Sequence, residues 1–195
     1  MMKNSAWQEG WLLRADRRVS PNFGPRPSGA AVDLVLLHCI SLPPGQFGGD
    51  EIERLFMNRL DWGAHPYYEQ IRGLQVSAHF LIRRDGRLLQ FVSCDDRAWH
   101  AGASCWQGRD NCNDFSIGIE LEGIEGGSFE ARQYEMLVAL MHDLAQRYRV
   151  TAVAGHEHVA PGRKVDPGGG FEWHRLIDEL GWPGQCFPEQ VALRG

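Results

Sequence analysis

The chain has 195 residues, a formal net charge of -5 and a pI near 5.9. That length is enough for one domain (residues 1–195, with 1–30 and 182–195 as peripheral segments) to bury a sizeable core without staples. Mixed charge signs with no basic cluster exclude a general nucleic-acid binder, because neutralising phosphates needs grouped Lys and Arg.

The N-terminal stretch "MMKNSAWQEGWLLRADRRVS" is broken by charges and holds no apolar signal core, so export by a signal peptide is not expected. No run is long and apolar enough to span a membrane. Five cysteines, Cys39, Cys94, Cys105, Cys112 and Cys186, form an odd set without C-x-x-C spacing. They read as reduced thiols of a cytosolic protein.

"SPNFGPRPSG" (20–29) and "SLPPGQFGG" (41–49) are irregular surface segments. Between them "VDLVLLH" (32–38) predicts a buried central strand that closes on His38. "DEIERLFMNRL" (50–60) spaces Ile52, Leu55, Phe56 and Leu60 as an amphipathic helix behind Asp50, a candidate N-cap. "VSAHFLIRRDGRLLQFV" (76–92) predicts a hairpin around Asp85-Gly86. "SIGIELEG" (116–123) alternates, with Ile117, Ile119 and Leu121 on one face and Gly118, Glu120 and Glu122 on the other. Gly118 leaves room for something to approach beside Glu120. The longest helix is predicted over 128–149, followed by the short strand "VTAVAG" and a last helix in "FEWHRLIDEL" that stops at Gly181 and Pro183. Interleaved strands and helices with one hairpin give an α/β fold, a mixed central sheet flanked by helices.

Of eight histidines, His65, His142 and His174 read as ordinary, and His79 as hydrogen-bonded in the interior. His38 and His156 differ, each closing an apolar strand where ligands collect in α/β sheets. "AVAGHEHVAPGRKVDPGGGFEW" (152–173) is too irregular for a helix, and Pro161 and Pro167 stiffen the return of Asp166 towards His156. A catalytic zinc takes three protein ligands and leaves one position open, a count that His38, His156 and Asp166 meet. The alternatives are a His–carboxylate hydrogen bond, or a metal held by His156 and His158 at i, i+2. Glu120 is either a general base or an Arg partner, and Lys164 either an exposed loop lysine or the cation for a developing oxyanion. Trp99, His100 and Trp106 lie on a Gly-rich loop suited to gripping a sugar or peptide, or to anchoring the core.

Taken together, "LLHCISLPPGQFGG", "VSAHFLIRRDG", "RAWHAG", "GRDNCNDFSIGIELEG" and "GHEHVAPGRKVDPG" resemble the zinc N-acetylmuramoyl-L-alanine amidases of the second amidase family, from about Trp7 to about Asp178. In particular, the chain is similar to that family's cytosolic branch. The resemblance implies a fold like that of peptidoglycan-recognition proteins and one Zn2+ per chain held by His38, His156 and Asp166. It implies Glu120 as the catalytic glutamate and Lys164 as the lysine that supports the transition state. The implied reaction cuts the amide between the lactyl group of anhydro-N-acetylmuramic acid and L-alanine during cell-wall recycling in the cytoplasm. By lowering the fragments it cuts, that reaction keeps β-lactamase expression low in some Gram-negative bacteria.

The implied partner is the anhydromuropeptide, with no nucleic acid, membrane or obligate protein partner. Substrate contacts are expected at Trp99, His100, Cys39, Gln75, Arg109 and Asn111. The chain departs from the family at Cys39, which stands where an Asn is usual, and at Gln75 and Asn111, which stand for arginines. His158 replaces an Asp or Asn. The main alternative function is a muropeptide-binding module of the same fold that does not cut.

Overall fold

A computed structural model describes residues 6–192; the outermost parts of both peripheral segments, residues 1–5 and 193–195, lie outside it. Six strands form one sheet: β1 (Asp16–Arg17), β2 (Leu34–Ile40), β3 (Phe80–Ile82), β4 (Leu88–Gln90), β5 (Ser116–Glu122) and β6 (Ala152–Gly155). Their spatial order is β6-β2-β5-β3-β4-β1. All neighbours are parallel except the β3–β4 hairpin, so the sheet is mixed as expected. Ile82 pairs with Leu88, which leaves five residues in the connection, and there Gly86 has φ of +85°. Asp85 is not left-handed, so the turn is longer than the two-residue type favoured by Asp-Gly.

The first four residues of β2 are apolar because both faces of the strand are covered there; Leu34, Val35, Leu36 and Leu37 have no exposed surface. Burying each such side chain is worth about 1.5–3 kcal/mol. On one face, Val35, Leu37, Ile117, Ile119 and Leu121 pack against α3 (Ala131–Arg147) and α5 (Trp173–Leu180). Helix α3 starts with a capping box between Glu130 and Gln133, and α5 stops at Gly181, whose φ of +63° only glycine adopts readily. Both helices fall where the apolar periodicity places them. Trp7 and Leu12 join this core, so the N-terminal segment is partly built into it.

The other face is covered in two parts. Leu34 and Leu36 meet Ala101, Cys112 and Phe115 from the Gly-rich loop. Leu81 and Leu89 meet Ile52, Leu55 and Phe56 of α1 (Glu51–Phe56), together with Tyr68 of α2 (Pro66–Gln70). Asp50 does not cap α1 with its side chain, which instead pairs with Arg54 one turn on. Helix α2 has no counterpart among the elements expected from the sequence. Its signal is local: the His65 ring caps the Tyr67 N–H, and Pro66 occupies the first helical turn.

A second difference lies after β6. Residues His156–Val159 form one helical turn, α4, where the sequence reads as irregular. Gly155 before it leaves room for the returning loop, since a Cβ there would come within 2.8 Å of Pro167.

Candidate metal and active site

The parallel register sets the site. Glu120 on β5 is the partner of His38 on β2, and Gly155 at the end of β6 is the partner of Leu37. The residue after Gly155 therefore arrives level with His38, at the carboxyl ends of three adjacent strands. The loop after α4 returns to this point, where the Glu157 N–H donates to the Asp166 carbonyl (2.9 Å).

Three buried side chains converge. His38 Nδ1 is 3.0 Å from His156 Nδ1 and 3.1 Å from Asp166 Oδ2, and His156 Nδ1 is 3.1 Å from the same oxygen. The outer side of each ring is occupied as well. His156 Nε2 lies 3.0 Å from the Ala101 carbonyl, which also accepts from Arg163 (2.8 Å); an N–H on Nε2 suits that contact and, in the neutral ring, leaves the lone pair on Nδ1. His38 Nε2 lies 3.0 Å from His100 Nδ1; donation in that direction leaves His38 Nδ1 bare too.

Two imidazole lone pairs and a carboxylate oxygen aimed at one point repel one another unless a cation or proton sits among them. Tetrahedral zinc with bonds of 2.0–2.1 Å asks for donor atoms about 3.3 Å apart, so the triangle needs to open by only a few tenths of an ångström. The donor set and its geometry fit the ion. Among the described residues, this is the group of His, Cys, Asp or Glu side chains that could hold a metal.

The electrostatics agree with that arrangement. Burial holds His38 at about 4, against the raising effect of its bond to Asp166. For Asp166 burial alone would raise the carboxyl, but the bonds to His156 and His38 win and keep it ionised. Glu120 is the opposite case. Burial, with the Asp166 carboxylate beside it, pushes its carboxyl well above the ordinary value, and Lys164 only partly opposes this. Its Oε2 is buried with no hydrogen-bond partner. No arginine pairs with it among the described residues, which leaves the carboxylate available for chemistry.

A cavity of about 420 Å³ opens over these groups, lined by His38, Glu120, His156, Lys164 and Asp166 on one side. An apolar wall of Leu42, Phe56, Tyr67, Ile71, Leu74 and Val76 faces them. This wall, built by the loop after β2 and by α1 and α2, is the part of the site that sequence reasoning missed. Periodicity marks Phe56 as core, and the other wall residues lie in short or irregular segments that carry no period.

The expected substrate positions divide. Cys39 and His100 line the cavity. Burial and then the Glu120 carboxylate push the Cys39 thiol up, so it remains protonated. His100 lies behind His38, packed on Gly118, where a Cβ would meet its Cγ at 2.5 Å. The room left by Gly118 is thus filled by an imidazole of this chain.

Trp99, Gln75, Arg109 and Asn111 are not among the lining residues. Arg109 is engaged elsewhere. Its guanidinium forms two 3.0 Å bonds to Asp33, just before β2, and covers the Phe115 ring at 3.9 Å. Five residues of strand, about 16 Å, separate Asp33 from His38. Asn111 is exposed with φ of +56° on the adjoining hairpin, and Gln75 is exposed beside Leu74. The alternative pair of His156 and His158 fails as well, since His158 Nδ1 accepts the Gly155 N–H (2.9 Å) and its ring stands edge-on to Trp173.

Comparison with known proteins places this geometry. Residues 28–169 match the family model described as N-acetylmuramoyl-L-alanine amidase. The chain is 51% identical over 170 residues to the 1,6-anhydro-N-acetylmuramyl-L-alanine amidase AmpD of Citrobacter freundii, covering 86% of this chain and 91% of that protein. It superposes on the crystal structure of a selenomethionine derivative of AmpD with a TM-score of 0.85 and 49% identity, covering 89% of this chain and 98% of the other. AmpDh3 of Pseudomonas aeruginosa, solved in complex with an anhydromuramic pentapeptide, matches with a TM-score of 0.56 and 27% identity over 92% of this chain and 66% of that one.

Proposed function

This chain belongs to the N-acetylmuramoyl-L-alanine amidase family, and on that premise we propose that it releases L-alanine-led stem peptides from 1,6-anhydro-N-acetylmuramic acid, using one zinc ion held by His38, His156 and Asp166. The observation that carries the reading is the triangle of three buried donor atoms 3.0–3.1 Å apart, with an unpartnered carboxylate oxygen of Glu120 in the same cavity.

Zinc held by these three residues would supply Lewis-acid chemistry to water and to the scissile carbonyl. Glu120 handles the proton. Its raised pKa suits a base that takes a proton from the attacking water and then gives it to the departing alanine amine as the C–N bond breaks. Lys164, at the cavity rim, offers a positive charge to the oxygen that gains electrons during attack. The apolar wall excludes water on the far side and receives the uncharged parts of the substrate. The products are the anhydromuramic acid carboxylate and a free peptide.

This chemistry belongs in the cytoplasm, on fragments recovered from wall turnover; their removal also lowers the signal for β-lactamase expression. Among the described residues, no helix is long and apolar enough to cross a membrane.

The test is to incubate the purified protein with anhydromuropeptides and, separately, with intact sacculi, with and without chelator, and to weigh the products. Peptide release from the anhydro substrate, abolished by chelation and restored by zinc, is the expected result. Binding of the fragment by metal-replete protein without any cleavage would leave a recognition module instead.

A further inference from the structure

The two imidazoles of the site depend on one short piece of loop. The outer nitrogen of His38 meets the His100 ring (3.0 Å), and the outer nitrogen of His156 meets the carbonyl of the next residue, Ala101 (3.0 Å). His100 and Ala101 are themselves fixed by one side chain, since Asn113 Oδ1 accepts both of their backbone N–H groups, at 3.1 and 2.8 Å. The main-chain carbonyl of Asn113 is held in turn by Arg26 (3.2 Å), which ties the turn into the body of the fold.

We propose that Asn113 is a positioning residue for the metal site: by seating the His100–Ala101 turn it sets the tautomer and ring orientation of His38 and His156 together. The inference rests on the reading of those histidines as zinc ligands. Its physical basis is that the partner of the non-coordinating ring nitrogen decides which nitrogen keeps a lone pair and where that lone pair points. An amide oxygen that accepts two adjacent N–H groups fixes the turn more firmly than one bond does. The His100 ring is held further by Gly118 beneath it and by Ser116 Oγ at its far nitrogen (3.3 Å).

The experiment measures zinc affinity of the full-length chain by competition with a chromogenic chelator, alongside thermal unfolding of the zinc-free protein. Asn113→Ala is expected to weaken zinc binding by ~10- to 100-fold, and Asn113→Asp, which keeps the oxygen acceptor, to stay within about threefold of wild type. His100→Ala should weaken binding by roughly tenfold alone and add little on top of Asn113→Ala, because both act through one turn. A merely structural Asn113 would lower the unfolding temperature of the zinc-free protein and leave zinc affinity unchanged; that result overturns the proposal. If Asn113→Ala does not fold, His100→Ala decides the matter, unchanged affinity again overturning it. Asp166→Ala separates the two readings: tight zinc in that variant defeats the ligand assignment itself, whereas its loss beside wild-type affinity in Asn113→Ala defeats only this inference.

Discussion

Glu120 and His38 are register partners on adjacent parallel strands, so the proposed base and one corner of the donor triangle are carried on the same face at the same height. The strand ladder fixes their separation before any loop is placed. Side-chain substitutions at the site therefore test chemistry without moving the frame.

Glu120→Gln keeps the shape and the apolar surroundings but cannot take a proton. Zinc content is expected to equal that of the wild type while turnover falls by ~10²- to 10⁴-fold. Metal analysis and a peptide-release assay on the same preparation check this. Loss of metal together with activity would mean that Glu120 acts as a ligand.

Asp166→Ala removes the one anionic donor from the triangle and leaves two imidazoles facing each other in a buried site. Zinc affinity should drop by more than ~100-fold, and activity should be lost at any zinc concentration that the protein tolerates. A chelator titration followed by mass spectrometry of products reads both.

Gly118→Ala places a methyl 2.5 Å from the His100 ring. Strand and ring cannot both stay in place, so stability is expected to fall by about 1–3 kcal/mol and zinc affinity with it. Urea unfolding of the zinc-free protein measures the first effect separately from the second.

His79 is one of three histidines, with His38 and His100, whose burial makes the zinc-free fold sensitive to acid. Its Nδ1 accepts the Gly118 N–H at 3.0 Å, its Nε2 faces the Asp96 carbonyl at 3.1 Å, and burial with the nearby Arg26 charge holds it at about 3. A histidine depressed in the folded state takes up its proton first in the unfolded chain. Stability is therefore full above about pH 6.5 and is lost as pH falls towards 3, by about 1.4 kcal/mol per pH unit for this group. Urea midpoints of the zinc-free protein between pH 4 and 7 should fall with pH through His79 together with His38 and His100, which burial also depresses, and His79→Gln should remove only the share of that slope due to His79.

Arg109→Ala tests whether Arg109 meets the substrate. Because its guanidinium serves Asp33 and Phe115 at the far end of β2, the variant is expected to lose about 1 kcal/mol of stability or less. Its KM for the muropeptide should stay within a factor of two, a result that steady-state kinetics can check.

Local pattern was enough to read the elements around the site. The apolar run 32–38, the alternation 116–122 and the helical stripe of 131–147 each report which face of one segment is buried, and burial follows from side-chain spacing alone. The short helices α2 and α4 escaped because four or five residues carry too little period, and the cap of α2 is an imidazole, a side chain seldom read as a helix start.

From the sequence by itself come the mixed α/β architecture, the strand-end positions of His38 and His156, and the set of residue types that zinc hydrolysis requires. Tertiary structure alone decided that His100 stands behind His38, that Arg109 lies at the opposite end of β2, and that Leu42, Tyr67 and Ile71 wall the cleft. The reason is that spacing along a chain encodes only what each segment buries. Which groups meet across a hundred residues is settled by strand register and by the packing of loops over the strand ends.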